Sequence, residues 1–166
     1  MTEKTLTNLF EDTLKDVYFA ERKILTALPK MAKAARSPNL KAAFQKHHSE
    51  TEGQVKRLEQ VFEIIGQKAK GKTCPAIEGI LEEGAEMMKE YAGSPALDAA
   101  LISAVQAVEH YEIARYGTLK RWAENLGLDG AVQLLDETLQ QEGKTDEALT
   151  DLADDDANEV AKKAAA

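Results

Sequence analysis

A single cysteine, Cys74, rules out an internal disulfide, so covalent cross-links contribute nothing to holding these 166 residues together. Aromatic residues are scarce at 5%, whereas Ala, Leu, Glu, Lys and Gln abound, a composition that favours helix over sheet. No apolar signal core opens the chain and no run is apolar for long enough to cross a bilayer, so a cytoplasmic location is expected and a membrane partner is not. Basic clusters are missing too. A net charge of −8 with no Lys/Arg-rich helix or arm leaves no electrostatic footprint for nucleic acid or an anionic membrane. Gly-rich phosphate loops, zinc-spaced Cys/His sets and nucleophile elbows are likewise absent.

What the chain does have is helical periodicity punctuated by clear stops. Thr2 or Thr5 caps a first helix that runs to about Ala35, and Ser37-Pro38-Asn39 ends it and starts a second that reaches about Ile65 before Gly66. Pro75 opens a shorter helix to about Ala92, followed by Gly93-Ser94-Pro95. A helix from Ala96 to about Leu126, a Gly127-Leu128-Asp129-Gly130 turn and a last helix from Ala131 to about Ala153 complete the pattern. Two helical hairpins joined by one long connection predict an all-α, antiparallel four-helix bundle over residues 1–153, with the short helix as crossover between the second and third bundle helices. At about 18 residues, or roughly 27 Å, that helix is long enough to carry the chain from one end of the bundle to the other. Residues 154–166 begin with three acids and lack apolar anchors, so a frayed or disordered tail is expected.

Acids interrupt the apolar stripes. Glu21 lies among Phe10, Leu14, Val17, Ile24 and Leu28; Glu109 and Glu112 lie among Ile102, Val105, Tyr116 and Leu119; Glu142 and Asp146 lie among Val132, Leu135, Leu139 and Leu149. The second helix offers His47 and Glu50, three residues apart and within reach of one ion. A single such acid sits as readily at a stripe edge with its carboxylate in water. Their coincidence on four helices instead implies a shared interior site, because an ionised carboxylate removed from water costs several kcal/mol unless it is paired or coordinates a cation. Oxygen-rich ligands with one or two imidazoles suit two iron ions first and manganese second, as in di-iron carboxylate bundles. Tyr116, one turn after Glu112, is placed to hydrogen-bond a ligating carboxylate, and Gln54 to orient Glu50. His48 should face solvent.

The runs DVYFAERKILTALPKMAKAA, AAFQKHHSETEGQVKRLEQVFE, KTCPAIEGILEEG, DAALISAVQAVEHYEIARYGTL and LLDETLQQEGKTDEALTDLA resemble the bacterial YciE/YciF stress proteins, a ferritin-like group. The segment VEHYEIARYGTL is the most specific part. This resemblance implies a ferritin-like bundle, a homodimer and an iron-linked, ferroxidase-type activity with O₂ or peroxide as oxidant. It also places Glu21, Glu50, Glu109, Glu112 and Glu142 where that group has acids, with His47 and Asp146 matching as well. Where some members have His, this chain has Glu52, and no ferritin-style Glu-x-x-His is present on the ligand helices. The alternative function is a non-catalytic stress-response dimer that acts through structure or partner binding.

Overall fold

The computed structural model describes residues 3–163, and among these it shows only helices: α1 (Leu6–Ala34), α2 (Pro38–Ile64), α3 (Pro75–Glu90), α4 (Leu97–Asn125), α5 (Asp129–Leu152), a π-helical turn (Ala153–Ala157) and α6 (Asn158–Lys163). Local chemistry sets their ends. At the start of α1 the Thr5 amide donates to Asn8 Oδ1 (2.9 Å), and Ser37 Oγ accepts from the Leu40 amide at the start of α2. Asp98, from the first turn of α4, accepts the backbone amides of Arg36 and Ser37, both at 2.8 Å, and so pins the α1–α2 connection to the neighbouring hairpin. Gly66 and Gly127, each at φ 68°, terminate α2 and α4. In both, the following residue donates five positions back, Gln67 to Phe62 and Leu128 to Ala123, each at 2.9 Å, which only a left-handed residue at the glycine position permits. The last bundle helix starts two residues earlier than expected, because Asp129 in its first turn favourably meets the helix dipole.

Going round the bundle, α1 packs on α2, α2 on α5, α5 on α4, and α4 on α1, so neighbours are antiparallel throughout. The crossover differs from expectation. With 16 residues, α3 spans about 24 Å, and it covers only the upper part of the α1–α4 face. The loop before it climbs the lower part, where the Lys72 amide donates to Lys15 O (3.1 Å) and Gly71 passes so close that a Cβ would lie 3.2 Å from that of Phe19.

The tail expectation is also corrected. Beyond Leu152 the chain gains one residue in the π turn and continues as helix to Lys163; residues 164–166 lie outside the described part. The physical reason is Ala157, which is buried against the apolar layer containing Ala35, Leu97 and Leu101. A lone alanine marks no apolar stripe.

Buried positions on α2 recur in alternating steps of four and three, as in Leu40, Phe44, His47, Thr51, Gln54, Leu58 and Val61. The apolar residues form separate layers. One end contains Phe10, Leu14, Phe62, Leu119 and Leu135, and the other contains Phe44, Leu101, Ile102, Val105 and Leu149. Glu21, His47, Glu109, Glu112 and Glu142 fall between them.

Candidate metal centre

Each helix of the bundle delivers an ionisable group from its otherwise non-ionisable buried stripe. On α1, Glu21 lies between Val17 and Ile24; on α5, Glu142 lies between Leu135 and Leu149; on α2, His47 follows Phe44. α4 contributes both Glu109 and Glu112 because its buried face is the broadest of the four. All five are at most 1% exposed. One ligand-capable atom from each of His47, Glu109, Glu112 and Glu142 lies within 4.8 Å of the others, which makes this a buried His/Glu cluster that could hold a metal ion. Glu21 adjoins it through Glu112, and Tyr116 Oη donates a hydrogen bond to Glu21 Oε1.

Burial and mutual repulsion dominate the electrostatics. Burial, then the charge of Glu142, raises Glu21 to a pKa of about 8, against the opposing pull of its contacts with Glu112 and Tyr116 and of the Arg57 charge. Glu109 and Glu112 are held well above the usual carboxylate range, first by burial and then by their acidic neighbours, Glu142 foremost. Burial raises Glu142 too, although its contacts with Glu109, Glu112 and Gln54 work the other way. His47 is pushed down to about 4, mainly by burial and further by His48. Its imidazole is therefore neutral at pH 7.

A neutral His47 cannot form an ion pair with its neighbours. Its Nε2 lies 3.1 Å from Glu109 Oε1 and 3.9 Å from Glu142 Oε2, yet neither ring nitrogen has a hydrogen-bond partner among the described residues. The same holds for Glu21 Oε2, Gln54 Oε1 and both oxygens of Glu109, Glu112 and Glu142. Ionised carboxylates only accept hydrogen bonds, so one can pair with another only by sharing a proton. At about 1–3 kcal/mol for each unsatisfied atom, such a cluster would consume a stability of about 5–15 kcal/mol unless protons or a cation bridge the lone pairs. The donor set therefore fits a cation on the evidence of its own orphaned atoms.

Two expected ligands stand apart. Glu50 is 22% exposed, lies 3.4 Å from Lys46 Nζ and accepts from Thr145 Oγ1 at 3.4 Å. Asp146 is 21% exposed and faces His110 Nε2 at 3.1 Å and Gln106 Nε2 at 3.2 Å. Neither belongs to the buried cluster, so the interior negative groups number four rather than the six counted from phase. Gln54, placed by sequence beside Glu50, donates instead to Gln141 (3.4 Å) and neighbours Glu142, and His48 is half-buried in a groove against Pro29 rather than solvent-facing. Tyr116 does hydrogen-bond a cluster carboxylate, that of Glu21 on the facing helix.

Sequence reasoning missed Arg57. Its Nε donates to Thr138 Oγ1 and its Nη1 to Glu137 Oε1, both at 2.9 Å, and Nη2 bonds Gln141, so it ties α2 to α5 beside the cluster. It supplies the cationic influence felt by Glu21, but its donors are committed elsewhere. The signal available was its place one residue before Leu58 on α2, flanking the buried stripe.

Residues 5–162 match a family described as a domain of unknown function, DUF892. The chain belongs to this family. Within it, the chain is 45% identical to Protein YciF of Escherichia coli K12 over 99% of this chain and 100% of that protein, which bears out the stress-protein resemblance. Among solved structures, the E. coli stress protein YciF superposes with a TM-score of 0.89 at 45% identity, covering 94% of this chain and 99% of that one. YcfI of Rhodopseudomonas palustris, described as a candidate structural protein, gives 0.87 at 45% identity over 89% and 94%. A Xanthomonas campestris protein at 22% identity, with a TM-score of 0.78 over 98% and 100%, shares the fold. As in the sequence reading, no helix among the described residues is long and apolar enough to cross a membrane.

Proposed function

We propose that this YciF-family protein oxidises Fe(II) at the buried cluster, with O₂ or peroxide as electron acceptor. The observation that carries the reading is the concentration of orphaned carboxylate and imidazole atoms on four helices at one level of the bundle. Glu21, Glu109, Glu112 and Glu142 together offset the charge of two divalent ions, and neutral His47 adds one nitrogen donor. Two Fe(II) substrate ions lose one electron each; with two protons these electrons convert O₂ to hydrogen peroxide, or peroxide to two waters.

The chain's own residues contribute in three ways. The raised carboxyls hold protons that cation binding releases inside the bundle. Tyr116 fixes the orientation of Glu21 by donating to one of its oxygens and leaves the other free. The apolar layers on both sides exclude bulk water, which strengthens every charge interaction between them. Manganese fits the same donors.

Anaerobic addition of Fe(II) followed by oxygen should produce the near-ultraviolet absorbance of ferric product in the parent protein and not in the Glu21→Ala, Glu112→Ala double variant. Equal signals from the two would reject the assignment. The description of YcfI as a candidate structural protein favours a second reading, in which the bundle serves as a stress-response scaffold without bound metal. That scaffold should melt at the same temperature with and without a chelator, whereas a metal protein at a cation concentration 100 times Kd loses about 2.7 kcal/mol on chelation.

A further inference from the structure

The buried cluster needs a route from solvent, and the α2–α5 seam lies beside it. A cavity of about 30 Å³ lies there, with His47, Glu50, Thr145 and Ala148 in its lining beside the apolar side chains of Phe44 and Leu149. Such a volume accommodates a water-sized occupant. Its inner wall is His47, which is 1% exposed with both ring nitrogens unpartnered, and its outer wall includes Glu50 and exposed Ala148. Because α2 places His47 on the buried stripe and Glu50 three residues further on, the two lie one turn apart on neighbouring faces of one helix, leading from outside to inside.

We propose that Glu50 and Thr145 form a port through which a divalent cation passes from solvent to His47; this rests on the buried cluster being a metal centre. Glu50 is held at the mouth only weakly. Its partner Lys46 is 72% exposed, so their ion pair is screened by solvent, and a divalent ion displaces the ammonium readily. A carboxylate there replaces water in the hydration shell of the incoming ion, which the narrow cavity requires. Thr145 Oγ, now a donor to Glu50 Oε2, offers a lone pair to the cation after a hydroxyl rotation. Glu50 thus hands the ion on and does not retain it.

Stopped-flow mixing of metal-free protein with Co(II) and an indicator for free Co(II) measures the uptake rate, and equilibrium dialysis measures stoichiometry. Glu50→Gln should slow uptake roughly tenfold or more while stoichiometry stays at the parent value. Ala148→Trp, which plugs the mouth without altering a carboxylate, should slow it comparably; the exposed site leaves the core intact. Parent-like uptake in either variant would overturn the port. So would loss of stoichiometry in Glu50→Gln, which would make Glu50 a ligand. Failure of the parent itself to take up Co(II) would instead remove the metal centre, and the port with it, and Glu142→Ala marks that outcome by showing what uptake looks like when the centre is broken.

Discussion

Raising the pH of metal-free protein from 6.5 to 8 should destabilise it, an uncommon direction for an acidic protein away from its acid limb. Glu21 has an ordinary pKa near 4.5 and a folded value of about 8, so across this interval the native state holds a proton that the unfolded chain has released. A raised group of this kind contributes stability that is complete below its unfolded pKa and is lost as the pH climbs through the folded one. For Glu21 alone the loss between pH 6.5 and 8 is about 2 kcal/mol. Glu109 and Glu112, raised by the same burial and repulsion, act in the same direction. His47, lowered to about 4, has the opposite sign, but the unfolded imidazole is already half deprotonated at its ordinary value of 6.5, so it offsets only about 0.4 kcal/mol across the window. For a chain of this size the Glu21 part corresponds to a fall in Tm of about 4–8 °C. Calorimetric melts in chelator at fixed ionic strength measure it, and the same melts with saturating Mn(II) should reverse the slope, because the cation competes with those protons. A metal-free Tm that is flat or rising from pH 6.5 to 8 would refute the reasoning.

Replacing one buried acid should separate stability from function: Glu112→Met is expected to raise the metal-free unfolding free energy by about 1–4 kcal/mol while reducing bound cation, checked by denaturant melts and dialysis. Arg57→Ala removes three donors that tie α2 to α5 and should cost about 2–3 kcal/mol by urea titration. Asp98→Ala leaves the Arg36 and Ser37 amides without their 2.8 Å acceptors and should cost about 2–4 kcal/mol, with hydrogen exchange rising at the start of α2.

The helices were legible because their punctuation is local chemistry. Pro38, Gly66, Pro75 and Gly127 each act through their own backbone conformation, and the structure places helix boundaries beside all four. The crossover was legible in kind but not in division of labour, since nothing in residues 65–74 announces that an irregular segment will run along α1. The tail was misread because its anchor is small. Glu21, Glu109, Glu112 and Glu142 were recognisable because large apolar residues within one or two turns on both sides, such as Val17 and Ile24, Val105 and Tyr116, and Leu135 and Leu149, fix their phase.

Glu50 and Asp146 show where that logic weakens. In each case the buried stripe passes through or beside an adjacent threonine: Thr51 is fully buried on α2, and Thr145 is half-buried on α5. A threonine carries too little apolar area to declare its face, so the neighbouring acid, about 100° round the helix, was assigned the inward position. The consequence is physical. Had both acids turned inward, two more carboxylates would have joined four that already carry unpartnered oxygens, at several kcal/mol each. Thr145 instead borders the space beside His47, while Glu50 keeps one side in solvent. With an apolar layer at each end and threonine, glutamine and acid at the centre, the bundle can fold on its ends and leave the middle layer free to change its charge.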